Sequence, residues 1–241
     1  GRSTRTRQAI SRIIWSSVSF EVKLTVSPTA RAIRLRVDRR TGEVVLTIPR
    51  RASRRKALAW ADGHREWIEA RLAEVAPAIL LVPGTDVPLH ARPHPIDWSP
   101  DRPRTPRVED GRLVCGGPLE GLEARLVRWL RRHALDTLAA ETAEFAAKAG
   151  VEVSRVGIGD PVSRWGSCSA AGGIRYSWRL ILAPEWVRRA TVAHEVAHRV
   201  HMNHGADFHR LVERLLEADP KPARLWLRRH GPSLHRIGRA V

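Results

Sequence analysis

The stretch His194-Glu195-Val196-Ala197-His198, followed by Asn203-His204, constrains this chain more than any other part of it. Residues four apart on an α-helix project from one face, so His194 and His198 can meet at one point. Glu195 stands about 100° further around the helix axis, beside that point rather than on it. That is where a base must stand to take a proton from a metal-bound water. His204 follows His194 by ten residues, an interval that needs a helix end and a turn to bring a third imidazole back. The spacing is that of three-histidine zinc sites. Three imidazole nitrogens leave the fourth tetrahedral position open for water, as catalytic rather than structural zinc requires. The expected site is therefore Zn2+ on His194, His198 and His204, with Glu195 as the catalytic base.

His201 also falls on the ligand face of an uninterrupted helix, seven residues after His194. His204 is favoured over it because three imidazoles spread along two straight turns do not all come within about 2.0–2.1 Å of one ion. Asn203 tolerates the left-handed conformation of a helix end and is expected to serve the turn. His209, on the next helix, is expected to pack against the site or hydrogen-bond a ligand.

A chain of 241 residues can bury a real core as one domain or two. No apolar run approaches the roughly 18 residues of a membrane helix, and no charged-then-apolar segment ending in small residues opens the sequence. Cys115 and Cys168 stand apart in no CxxC arrangement. They read as two reduced thiols of a cytoplasmic protein rather than as a disulfide scaffold. The formal charge of +17 is carried mostly by Arg spread along the chain. Two readings are equally open: a basic face with salt-sensitive, non-specific attraction to polyanions such as nucleic acid, without sequence recognition, or an Arg-rich surface that is simply solvated.

Residues 1–15 read as a loosely held, Arg/Ser/Thr-rich lead-in. From Ser19 the pattern turns to period two: Phe20, Val22, Leu24 and Val26, then Ile33, Leu35 and Val37, then a run from Val44 to a stop at Pro49. This predicts an antiparallel meander with one basic, wet face. A helix follows over 53–75, with Trp60, Ala61, His64, Trp67, Ile68 and Leu72 on one stripe. Short strands at 80–82, 87–91 and 113–114 flank a Pro-rich exposed loop over 93–106. A long amphipathic helix over 119–149 is capped by Gly150. Strands are expected at 151–158 and 174–182, and the motif helix opens at Pro184. A helix over 206–217 and a basic tail from Pro220 complete the chain.

Four pieces of sequence together resemble a known family. They are Arg164-Trp165-Gly166-Ser167-Cys168, Trp178-Arg179-Leu180, Val192-Ala193-His194-Glu195-Val196-Ala197-His198, and Met202-Asn203-His204 with Phe208. They resemble the YgjP-type metallopeptidases, relatives of the SprT-like zincins. The resemblance is strong over 150–215 and looser over the strands of 20–50. It implies that His194, His198 and His204 bind zinc and that Glu195 is catalytic. Ser177, His201 and His209 depart from the usual pattern, which touches the substrate pocket and leaves ligands and base intact.

The expected architecture is α+β: an antiparallel β-rich N-terminal domain with one helix over 1–117, then a zincin-like catalytic domain over 118–241 with a basic tail. The expected activity is hydrolysis of peptide or protein substrates by a metal-activated water. The SprT-like kinship and the basic surface add a DNA-associated protease as a narrower reading. The rival from another class is a non-catalytic, zinc-containing nucleic-acid-binding module, and a hydrolase of non-peptide amides would use the same metal chemistry. Trp165 to Cys168 is expected to form either a loop beside the metal or an apolar anchor. Tyr176 is read as packing more readily than as a transition-state donor, and Arg179 as the partner of a structural acid more readily than of a substrate carboxylate.

Overall fold

The computed structural model describes residues 8–14 and 19–238, with side chains from residue 21 onward. Of the expected lead-in over 1–15, residues 1–7 and 15 lie outside the described residues, and 8–14 form a strand instead. The chain divides into two compact units at Pro77. The strands of 78–117 therefore fall in the second unit, not in the N-terminal domain to which the sequence assigned them. The reason is burial: Leu81, Val87, Ile96 and Leu113 share one apolar core with the helices that follow.

The first unit holds β1 (Gln8–Ile14), β2 (Ser19–Ser27), β3 (Arg34–Val37), β4 (Val44–Pro49), α1 (Arg54–Asp62) and α2 (Arg65–Ala73). Its sheet runs in the order β1-β2-β4-β3. The expected meander is corrected here, because β4 inserts between β2 and β3 and pairs with β2 in parallel. Alternation assigns a strand's faces but not its neighbours. Burial supplies the order: β4 alternates fully buried with half-buried residues, whereas Arg34 and Arg36 leave β3 half-wet. A charged strand belongs at an edge. The single expected helix is two, broken at Gly63-His64. Ala57, Ala61 and Ile68 face the core, while Trp60 and Trp67 are exposed.

The second unit begins with β5 (Asp86–Leu89), β6 (Arg92–Ser99), β7 (Arg107–Glu109) and β8 (Arg112–Gly116), ordered β5-β6-β8-β7. The expected Pro-rich loop is partly strand. His90 and Ala91, both at positive φ, form a two-residue turn between the paired residues Leu89 and Arg92. Alternation from that pair places Pro88, Pro93 and Pro95 where no ladder bond is exchanged.

Next comes α3 (Leu122–Ala149), with Leu122, Leu126, Leu130, Ala134 and Leu138 buried at four-residue intervals. Gly121 and Gly150 bound it in the left-handed conformation, Gly150 donating its N–H to the carbonyls of Ala146 and Ala147. A second sheet follows: β9 (Arg155–Gly159), β10 (Gly166–Cys168) and β11 (Gly173–Ser177), ordered β10-β11-β9. The strand expected over 174–182 ends at Ser177. The next five residues, Trp178–Leu182, are all buried and wind into a 3-10 helix, opened by the Ser177 hydroxyl, which accepts from the Arg179 N–H.

The last three helices are α4 (Glu185–Ala197), α5 (Ala206–Leu216) and α6 (Lys221–Leu234). The expected basic tail is thus a helix as far as Leu234. Pro220 and Pro222 suit a helix start. Ala223, Leu227, Gly231 and Leu234 recur on its inner face, while Arg224, Arg228 and Arg229 are exposed. No helix among the described residues is long and apolar enough to cross a membrane.

Two buried arginines tie this unit together. Arg188 on α4 makes a forked contact with Glu141 of α3, with nitrogen–oxygen distances of 2.7–3.1 Å. Its other arm donates to Nδ1 of His90 at 2.7 Å. A guanidinium only donates, so neutral His90 carries its hydrogen on Nε2, 3.3 Å from Nε2 of His133. Burial, followed by the Arg188 charge, pushes His90 down to about 4. Arg179 is the partner of a structural acid, Asp160, as described in the Discussion.

Candidate metal centre

Helix α4 delivers the first two histidines as the four-residue spacing requires, and their rings stand 5.0 Å apart between centroids. The helix stops at Ala197, earlier than expected. Short i→i+3 bonds, Arg199 N–H to the Val196 carbonyl and Val200 N–H to the Ala197 carbonyl, tighten the chain there. Asn203 is not among the residues at positive φ. The turn therefore forms at 198–200, and a left-handed Asn203 is not what makes it. This brings His204 back so that its ring centroid lies 5.1 Å from His194 and 4.7 Å from His198.

The candidate ligand nitrogens of His194, His198 and His204 all lie within 4.8 Å of one another. Two nitrogens bound to one tetrahedral ion at about 2.0–2.1 Å stand about 3.3 Å apart; Nε2 of His194 and Nε2 of His204 are 3.3 Å apart. Nδ1 of His198 lies 3.1 Å from the carbonyl oxygen of His201. A carbonyl only accepts, so Nδ1 holds the hydrogen and Nε2 is left bare for a ligand role. Burial and the two neighbouring imidazoles push His194 down to about 4, and burial also lowers His198. Three imidazole nitrogens converging on one point, in the donor chemistry zinc prefers, fit a zinc-type ion. His201 serves the cluster through its backbone carbonyl, and its ring is not part of the group.

Phe208, fully buried on α5, packs against all three rings at centroid distances of 4.9, 4.5 and 4.8 Å. It fixes their orientation and closes one side to water. The sequence placed Phe208 only within the family resemblance and assigned it no role; its spacing, four residues after His204, is the signal that was available. His209 sits beside it, 6.5 Å from His204 between ring centroids.

Glu195 is 5% exposed. Burial pushes its carboxyl up to about 7, against the pull of the Arg164 charge. Gly166, on the edge strand β10, makes the room for it: a Cβ there would lie 2.6 Å from Cγ and 2.7 Å from Cδ of Glu195. Trp165 and Gly166 also line a cavity with His194, Glu195, Ala190 and Thr191, so the segment lies beside the site. Trp165 reaches α6 as well, where Gly231 leaves its ring the space that a Cβ would take 2.6 Å from Cζ2. Tyr176 turns away, fully buried, with its hydroxyl 3.0 Å from that of Thr142. Cys168 is half-buried, its thiol pushed up by burial, which suits an inert side chain.

The description "YgjP-like, metallopeptidase domain" matches residues 31–230 of the 241. The chain belongs to the YgjP-like metallopeptidase family. No curated protein and no solved structure matches it. Membership of a metallopeptidase family implies a metal ion. In this YgjP-like chain the histidine cluster is the group of three or more candidate ligands found among the described residues.

Gly166→Ala tests the fit of Glu195 directly. The added methyl displaces the carboxylate or the strand, and a misplacement of about 1 Å costs on the order of a hundredfold in rate. The expected result is a loss of that size in kcat/KM with metal content unchanged.

Proposed function

We propose that this chain is a zinc-dependent peptidase whose site is His194, His198, His204 and Glu195, carried on a zincin-like catalytic domain. The observation that carries the reading is the convergence of three imidazole nitrogens beside a buried carboxylate that forms no ion pair among the described residues. Burying a carboxylate without a cation or metal beside it is costly, so a structural role accounts poorly for Glu195.

Zinc, when bound, supplies Lewis acidity toward water and a substrate carbonyl. The chain's own residues do the rest. His198 is held in one tautomer by the His201 carbonyl, and Phe208 keeps the three rings aligned. Glu195 accepts a proton from the attacking water on its carboxylate and returns it to the leaving amine, so the amine departs neutral. Gly166, lacking a side chain, leaves that carboxylate its room on the β10 side.

The reading is tested with zinc-loaded protein and a mixed library of unstructured peptides. Cleavage that ends on removal of metal by a chelator, and returns on adding zinc, supports it. A fully zinc-loaded protein that cleaves no member of the library contradicts it.

A further inference from the structure

The cavity beside Glu195 has two kinds of wall. Its floor is apolar and buried: Ala190 on α4, Val212 on α5, and Pro220 with Ala223 at the start of α6. Trp165 and Leu227, half-buried, form the sides. The mouth carries the exposed guanidiniums of Arg164 and Arg224. Neither forms an ion pair among the described residues, whereas Arg179, Arg188 and Arg189 in the same unit all do. Among the described residues Glu195 is the only acid lining the cavity, and it stands on the His194 side. At ≈ 250 Å³ the space falls below the range of about 300–1,000 Å³ that takes drug-sized ligands. It suits one residue rather than a length of chain.

We propose that this cavity selects a substrate residue that borders the cleaved bond, is apolar, and has a carboxylate immediately beside it. The apolar side chain enters the floor. The carboxylate stays at the mouth, between Arg164 and Arg224, where charge-assisted hydrogen bonds are formed without burying an ion. The carboxylate comes from the free end of the peptide or from an acidic neighbouring residue. The proposal rests on the peptidase reading above, and it adds Arg164 and Arg224 as specificity-determining residues.

Binding separates the selection from the chemistry. Zinc-loaded Glu195→Gln protein is titrated calorimetrically with acetylated peptides in matched pairs. One pair ends in leucine as the free acid or the amide; the other, amidated throughout, ends in Leu-Glu or Leu-Gln. The carboxylate member of at least one pair is expected to bind about tenfold more tightly, and the pair that shows it identifies the source. Adding Arg164→Gln with Arg224→Gln removes the preference. Adding Arg228→Gln with Arg229→Gln, two exposed α6 arginines outside the cavity lining, lowers net charge equally and leaves it. Equal binding within both pairs overturns the proposal, as does loss of the preference in the Arg228 and Arg229 control, which makes it a property of net charge. A wild-type enzyme that cleaves the peptide library without this preference overturns the selection alone. Failure to cleave any peptide overturns the peptidase reading instead.

Discussion

Replacing Glu195 with Gln is expected to leave zinc bound and to lower peptide hydrolysis by about 10²–10⁴-fold, the usual contribution of a positioned general base. The substitution keeps the volume that Gly166 accommodates and removes only the capacity to take a proton. Because Glu195 is no ligand in this account, zinc stoichiometry and melting temperature should stay near those of the wild type. The split between lost turnover and retained metal is the informative part. A structural zinc module that binds nucleic acid makes the opposite prediction: the variant would differ from wild type in no measured activity, and both would bind DNA alike with steep salt dependence.

The second large effect concerns stability. Arg179 is 1% exposed in its side chain and donates twice to Asp160, at 2.7 and 3.1 Å. Its Nη1 also donates to the carbonyls of Leu234 and Ile237, at 2.6 and 2.8 Å. One guanidinium thus joins the segment after β9, the 3-10 helix and the end of α6. Arg179→Met keeps much of the apolar bulk but leaves an acid and two carbonyls without their donor. Arg179 is buried while Asp160 is 27% exposed, so the loss should approach the lower end of the about 3–5 kcal/mol that breaking a buried pair costs, and should appear as a large fall in the urea midpoint at unchanged slope. A loss below about 1 kcal/mol, the level of a surface pair, would show that the pair is solvated. Arg179→Lys should recover little, since an ammonium cannot span the fork.

How far the sequence revealed this molecule depends on the kind of information required. The histidine cluster was legible because helical periodicity alone puts His194 and His198 together, and an interval of ten residues allows His204 to return. The route of that return was not legible. It depends on backbone bonds at 198–200, which side-chain identity does not encode, and so the turn was expected at Asn203. The sheet of the first unit was misread for a related reason: period-two alternation says which face is dry and is silent about which strand lies alongside. The segment after Pro220 looked like a tail because arginines dominate its composition. Its sparse inner face, Ala223, Leu227, Gly231 and Leu234, becomes meaningful only with Trp165 packed at Gly231. Gly166 is the extreme case, since its value lies entirely in the carboxylate 29 positions away in sequence that occupies its missing side chain.

The most direct measurement is zinc content per chain by elemental mass spectrometry, on wild type, Glu195→Gln, His198→Ala and His204→Ala purified in parallel. About one zinc is expected in the first two and a loss of most of it in the two histidine variants, since a catalytic site of three protein ligands retains its ion poorly with two. Zinc that persists when His198 and His204 are both replaced, or a wild type that binds none at saturating zinc, would contradict the three-histidine site.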